Sequence, residues 1–536
     1  MKYSKKTSIL LLVLCAVLFA GVANAAVWTV CDSGCSSQTI QGGITLASNG
    51  DIVLVRAGTY NEAIDFNGLA IEVLGEGCPE ETIIDGTNLG SSVVTFDSNE
   101  TSSSILSGFT IQNGTGTTSG NYTYGGGIKT WRSYPTIKNC TITNNSATHS
   151  GGGIYSTDGG PTVTDCTITN NSAPFGAGGI FASASSITVN GDTVVSYNSG
   201  GGVALVVSSA SYTPTLDGIT ITKNTAAQGA GLFLRSVISS IGDAGTVVDC
   251  IITDNTSTGY GGGIYVRGGW NSDFTIENCS ISNNTASDGG GIYCTYAAPN
   301  ITDCTINDNT ITYSLGSGGG VYSYRASPTI TGGTISNNTG KAFGGGFAAY
   351  FPNYELSPIL DGVTIDNNTS SMGGGLYFRT STNATVTNCN VTNNSTTSNG
   401  GAIHVNGAAP VITNSTLADN ITSGTGDAIH TYGSAAPVVK NSILWNSSST
   451  VNEIYLSAGT SIDITYSDVK GGYTGTGNIN SNPLFVGSGD YHLTDSSTAL
   501  IDAGTSTGAP ADDIDGDSRP LNSGYDMGSD EHYVAP

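Results

Sequence analysis

The sequence predicts an all-β chain wound as a parallel β-helix, and three observations carry that prediction. The first is a repeat held in two registers. The apolar residue after each glycine-rich stretch forms one series, from Ile128, Ile154, Ile180, Val203 and Leu232 through to Ile454, spaced by about 27 residues. The second series is an asparagine that recurs at twelve positions from Asn145 to Asn446, always with Ile, Val or Leu three residues before it. Self-similarity at 20 to 50 residues marks a solenoid. The second observation is strand chemistry. Runs such as TVTDCTIT and TIENCSIS alternate Ile, Val and Thr, as strands do, while the Leu, Ala, Glu and Lys that helical repeats need are scarce. The third is corner chemistry. Triple glycines such as Gly151 to Gly153 suit backbone with φ > 0 or with no room for a Cβ. Asparagine pairs such as Asn170-Asn171 suit αL turns whose amides bond the next coil.

The elements follow in order. Residues 1–26 read as a secretory signal peptide: MKYSKK is basic, Ser8 to Phe19 is apolar, and Ala23-Asn24-Ala25 offers small residues for cleavage near Ala25. No later run is long enough to cross a bilayer as a helix. Removing the leader takes Lys2, Lys5 and Lys6 and moves the formal net charge from −25 to −28. A surface so acidic disfavours nucleic acid and anionic lipid as partners. Residues 27–50 are expected to cap the first coil, with a helical spacing at Ile40, Ile44 and Ala47. Residues 51–477 are the coils, irregular at first (GDIVLVRAGTYNEAI, IEVLGEG) and regular from about Ile128. Residues 478–536 match no coil and are expected to close the other end, since a bare end would expose strand edges.

Within the repeat, alternation puts the cysteine and the isoleucine of CTIT on one inward face. Cys140, Cys166, Cys250, Cys279, Cys304 and Cys389 share that position, where a reduced thiol packs as a small apolar group. Cys31 and Cys35 stand outside the repeat and are candidates for a disulfide in an exported chain.

GGGIY and I-x-N-N resemble the paired GGA[ILV] and FxxN repeats of the chlamydial polymorphic membrane proteins. The opening coils resemble the start of exported right-handed β-helix proteins of the pectate-lyase-like superfamily. The tail NPLF…GDYHL…ALIDAG…DDIDGDSRP…DMGSDEH is similar to the C-terminal segment of many secreted bacterial β-helix proteins. These resemblances imply a right-handed parallel β-helix of roughly 15–17 coils, secreted or at the cell surface. They leave activity open, because this fold hosts lyases, hydrolases, esterases, adhesins and structural spikes. The sequence shows no LPxTG-type sorting motif to name an anchor, and a self-anchoring autotransporter is not expected.

The side chains expected to point outward after the glycines carry the functional reading. Trp131, Tyr155, Phe233, Arg235, Tyr265, Arg267, Tyr293, Tyr322, Tyr324, Tyr350, Tyr377 and Arg379 form a stripe of rings and guanidinium groups on an acidic protein. Rings on a flat sheet can stack on sugars, and Arg can grip carboxylates. A polysaccharide or surface glycan is therefore the expected ligand, held without catalysis. The alternatives are a polysaccharide lyase, for which Arg235 and Arg267 near Asp243 and Asp273 are the candidate catalytic set, and a purely structural surface rod or adhesin stalk. Other acids near the stripe (Asp158, Asp288, Glu355) are scattered. His404 and His430 extend the stripe. Asp513, Asp515 and Asp517 in DDIDGD are candidate metal ligands for Ca2+, although positions 6 and 12 counted from Asp513 are Ser518 and Gly524, which excludes an EF-hand. No motif demands another cofactor.

Overall fold

The computed structural model describes residues 25–237, 244–269, 274–351, 357–380, 382–446 and 452–533. The leader, apart from its last two residues, and Asp243, Asp273 and Glu355 lie outside the described residues. The chain is a parallel β-solenoid of about 16 coils with almost no helix. Two compact units share one coil plan: Met1–Ala226 with Gly231–Phe233, and Ala227–Ala230 with Leu234–Pro536. No helix among the described residues is long and apolar enough to cross a membrane.

One coil shows the plan. Ile154–Thr157 lies in a first sheet, Thr162–Thr164 in a second and Thr167–Thr169 in a third. Each strand pairs in parallel with its counterpart one coil on: Ile154 with Ile180, Thr162 with Thr188, Thr167 with Val194. The run TVTDCTIT, which alternation alone reads as strand, is thus two strands in different sheets. Asp165 stands between them at φ 53° and turns the chain. Ile154, Val163, Cys166 and Ile168 are buried at 1 % exposure or less. The six repeat cysteines are buried, unbridged thiols; Cys140 and Cys166 turn their Sγ toward the carbonyls of Lys138 at 3.3 Å and Thr164 at 3.2 Å.

The glycine corner needs glycine for two reasons. Gly151 has φ +66°, and a Cβ on Gly153 would stand 2.7 Å from the carbonyl oxygen of Gly179. The asparagine pair divides its work. The first takes the αL turn, with Asn170 at φ 57°. The second is buried and builds a ladder. Asn171 donates from its backbone N–H to Asn198 Oδ1 at 2.9 Å, and from Nδ2 to that oxygen at 3.1 Å and to Ile142 O at 2.9 Å. Every polar atom of the amide is used, which is what burial demands.

At the N-terminus, Cys31 and Cys35 are joined with Cα atoms 5.6 Å apart. The helix Ile40–Leu46 follows. Thr39 Oγ1 accepts the N–H of Gly42 at 3.0 Å, and the Glu62 carboxylate accepts those of Ile40 and Gln41 at 2.8 and 2.9 Å. The first-turn donors are thereby satisfied, and Ile40 and Ile44 bury completely.

The other end of the ladder has a pH signature. Asn446 donates to both carboxylate oxygens of Glu453. Burial pushes the Glu453 carboxyl up to about 7. Asp468, fully buried with Oδ2 unpartnered, is also pushed to about 7 by burial and by the charge of Glu453. An unfolded chain ionises both near pH 4, so between about pH 4 and 7 the fold binds more protons than the unfolded chain. Their support for the fold is full at low pH and is lost as pH rises through 7. Buried His404, lowered to about 3 from 6.5, acts in the opposite sense between those values. Asp468→Asn is expected to shrink the stability lost between pH 5 and pH 8 by about 2–3 kcal/mol. Urea titrations at the two pH values measure it, and an unchanged difference would show that Asp468 does not carry the proton.

The C-terminal segment does more than close the last coil. It runs back over the outer side of the third sheet. Ser529 Oγ donates to Asn390 Oδ1 at 2.6 Å and meets Thr416 Oγ1 at 3.0 Å, and Gly528 N–H donates to Asn441 O at 2.8 Å. Leu493, Leu500 and Met527 pack on Ile443 and Trp445. Ile443 stands in register with Thr416 and Asn390; the covering tail explains an apolar residue at an outward position usually filled by Thr.

Candidate functional site: an aromatic cleft on the first sheet

Parallel register stacks like side chains one coil apart. In the second unit the first outward column of the first sheet runs Tyr265, Tyr293, Tyr322, Ala348, Tyr377, His404, His430, Tyr455. Its rings touch: Tyr265 and Tyr293 have centroids 5.3 Å apart, and Tyr293 and Tyr322 are 5.4 Å apart. Tyr377, His404, His430 and Tyr455 form one near-parallel stack with spacings of 5.2, 4.7 and 5.1 Å. Burial holds both imidazoles below their ordinary range, as neutral members of the stack.

This column is not open to solvent along its length. Tyr265, Tyr293 and Tyr377 are 4, 6 and 2 % exposed, which corrects the expectation of an uncovered stripe. The side chains do leave the outer side of the sheet, but the segment between the asparagine and glycine corners folds over them. Tyr260 lies 4.8 Å from Tyr293, and Phe343 lies 4.6 Å from Tyr377, both stacked.

The cover parts where the column is interrupted. Ala348 presents a methyl between coils that carry Tyr322 and Tyr377. Beside it opens a cleft of about 340 Å³ lined by Tyr260, Asp288, Tyr293, Leu315, Ser317, Tyr322, Tyr324, Phe343, Tyr350, Tyr377 and Arg379. Tyr324, Tyr350 and Arg379 belong to the second outward column and pair in register. The Tyr324 and Tyr350 rings are 5.8 Å apart. The Arg379 guanidinium lies 4.5 Å from the centroid of Tyr350, a cation–π contact that ties it to the wall. Arg325 lies 5.4 Å from the Tyr324 centroid and donates to the Tyr296 hydroxyl at 2.5 Å.

Asp288 is the carboxyl of this cleft. Burial raises it to about 6, while the Ser317 N–H donated to Oδ1 at 2.8 Å pulls the other way. Burial, then neighbouring charge including that of Asp288, pushes the Tyr293 and Tyr322 hydroxyls up, so both remain neutral donors.

Six residues of the expected stripe line the cleft: Tyr293, Tyr322, Tyr324, Tyr350, Tyr377 and Arg379. Tyr265 is packed beneath Tyr260 and against Tyr293. Arg235 and Arg267 are exposed strand residues outside the cleft; their expected acids, Asp243 and Asp273, lie outside the described residues. In the first unit, Trp131 is 38 % exposed with the Arg132 guanidinium 4.6 Å from its ring. Tyr155 is half-buried between Tyr124 and Phe181, and Phe233 is half-buried. The stripe omits Tyr260, Leu315 and Phe343. Tyr260, Asp288, Ser317 and Phe343 each stand immediately before a triple glycine, and alignment on that position would have found them.

Asp513, Asp515 and Asp517 do not converge as a Ca2+ loop. Asp513 Oδ1 accepts the N–H groups of Asp515 and Asp517 at 2.9 and 2.8 Å, and its Oδ2 accepts that of Glu531 at 2.9 Å. Asp513 therefore fastens a turn, and Asp515 reaches His492 instead, at 2.7 Å.

Comparison with known proteins places the fold. No curated protein matches the chain. Among solved structures, a pectin methylesterase in complex with a hexasaccharide is 14 % identical over 44 % of this chain and 80 % of its own, with a TM-score of 0.30. A pectate lyase is 14 % identical over 96 % of this chain and 98 % of its own, with a TM-score of 0.23. Likeness at that level says nothing about the cleft. The Chlamydia polymorphic membrane protein repeat matches residues 388–406, the stretch holding VTNN and GGAI. The model described as right handed beta helix region matches residues 83–225 and 195–353, together half of the sequence. With the parallel sheets, the paired corners and the asparagine ladder already in view, that match is decisive: this chain belongs to the right-handed β-helix family.

Proposed function

We propose that this is an exported β-helix protein that holds a polysaccharide in the cleft around Tyr322, Tyr324, Tyr350 and Arg379, without turning it over. The single observation that supports the reading is the cleft itself: rings from five successive coils, a guanidinium over one of them, and one carboxyl. Rings offer flat apolar surfaces to pyranose faces, and Arg379 offers paired donors to a uronate or sulfate. Asp288 is the one carboxylate among the lining residues. Hydrolysis of a glycosidic bond ordinarily uses two, so the lining favours holding over cleavage. The basic, apolar and small-residue order of residues 1–26 and the net charge of −25 support export.

Retention on a panel of acidic and neutral polysaccharides tests this. Tyr324→Ala and Arg379→Ala are each expected to weaken binding of the retained glycan about tenfold, near 1.4 kcal/mol, with unfolding midpoints little changed. Parent-like retention in both variants, or release of unsaturated oligosaccharides by the parent, would overturn the reading.

A further inference from the structure

We propose that His492, Asp515 and Asp530 in the C-terminal segment form a site for one first-row divalent cation of the Zn2+ or Mn2+ kind. One ligand atom from each residue lies within 4.8 Å of the others, and this is the one such group among the described residues. The arrangement around the imidazole carries the argument. Its Nδ1 meets Asp490 Oδ1 at 2.5 Å, and its Nε2 faces Asp515 Oδ2 at 2.7 Å. With Asp490 accepting the Nδ1–H, the tautomer is fixed and Nε2 is left to the ion, the pattern in which a carboxylate orients a metal-binding histidine.

The two carboxylate ligands are held independently. Asp530 is 8 % exposed, and its one hydrogen bond is the Leu493 N–H donated to Oδ2 at 2.7 Å. That bond ties Asp530 to the residue next to His492. Asp515 is placed by its own N–H, donated to Asp513 Oδ1 at 2.9 Å. The turn in DDIDGD thus supplies one ligand, Asp515, and the other two, His492 and Asp530, come from elsewhere in the tail. Three carboxylates surround one imidazole. A ligating imidazole nitrogen must be free of its proton, so the ion competes with protons for Nε2. One imidazole with two carboxylates suits Zn2+ or Mn2+, whereas Ca2+ prefers oxygen ligands alone.

Calorimetric titration of the full chain with ZnCl2, MnCl2 and CaCl2 at pH 7, in two buffers of different ionisation heat, tests the site. Expected are one ion per chain for Zn2+ or Mn2+, release of about one proton, and a rise in the unfolding midpoint on ion addition. His492→Gln and Asp515→Asn should each remove the proton release and weaken binding at least tenfold. Asp490→Asn should weaken it by about 10–100-fold, and Asp517→Asn should leave it unchanged. His492 and Asp515 are half-exposed or exposed, so their variants remain folded, as ion-free melts will verify. No saturable binding of Zn2+ or Mn2+, tighter binding of Ca2+ than of either, or binding indifferent to His492→Gln and Asp515→Asn would each overturn the proposal.

Discussion

Asn338→Ala is expected to destabilise the second unit by about 3–5 kcal/mol, while Asn337→Ala, one residue earlier, is expected to lose only about 1 kcal/mol. The difference follows from what each amide does. Asn338 is fully buried. Its Oδ1 accepts the Asn309 N–H and Nδ2 at 3.0 Å each, and its Nδ2 donates to Ile306 O at 2.8 Å and Asn368 Oδ1 at 3.0 Å. Alanine leaves two donors of Asn309 and the Ile306 carbonyl unsatisfied in a dry interior, and each such group costs about 1–3 kcal/mol. Asn337 is exposed at φ 56°; it loses an αL preference and one contact, from Asn367 Nδ2. Asn337→Gly, which restores the backbone freedom, should recover most of its loss. Urea midpoints of the three variants compare them directly. Equal losses for Asn337→Ala and Asn338→Ala would show that the ladder is a by-product of the corner and not its support.

The same pair shows how far the sequence could be read. Periodic features were legible: the inward Ile and Cys, the glycine corner and the recurring asparagine all follow from spacing, because every coil solves the same packing problem. What varies between coils was not. Tyr260 and Phe343 hold a fixed place before the glycines, but that place carries Tyr, Asp, Ser and Phe in successive coils, so no recurring residue type announces that they fold over Tyr293 and Tyr377. The stripe therefore contained six of the cleft residues but not the layer that buries part of the column. Ala348 was visible as a gap in a list of rings, yet its meaning depends on what surrounds it. The tail was least legible. Ser529 meets Asn390 across 139 residues, and only the folded chain brings His492, Asp515 and Asp530 together. Ile443, between Thr416 and Asp468 in its column, gave no such notice either, since Ile251 at the same position is exposed.

That cover is fastened by a buried ion pair, and Arg519→Met is expected to release it. Arg519 Nη1 lies 2.6 Å from Glu531 Oε2, with both side chains fully buried, and Nη2 donates to Gly528 O at 3.1 Å. Glu531 also accepts the N–H groups of Asp526 at 3.2 Å and Leu521 at 3.3 Å. Burial raises the Glu531 carboxyl and Arg519 holds it down. Removing the guanidinium strands a buried carboxylate, at a cost of about 3–5 kcal/mol. The loss should fall on the tail, because Gly528 and Ser529, which grip Asn441 and Asn390, lie in the same loop as Glu531. Limited proteolysis read by mass spectrometry is expected to show new cleavage within residues 478–533 while the coils stay intact. Arg519→Met combined with Glu531→Leu, which removes both charges, should restore most of the protection, since a buried pair replaced by apolar groups of similar size is often neutral. Protection unchanged in Arg519→Met, or not regained in the double variant, would mean that apolar packing of Leu493, Leu500 and Met527 on Ile443 alone holds the tail. Glycan retention separates the two ends of the unit: the cleft residues end at Arg379, and the tail first grips the coils at Asn388, whose Nδ2 donates to the Asp512 carbonyl at 2.9 Å. Retention that depends on Tyr324 should therefore survive Arg519→Met, whereas Zn2+ or Mn2+ binding at His492 should fall with the loosened tail.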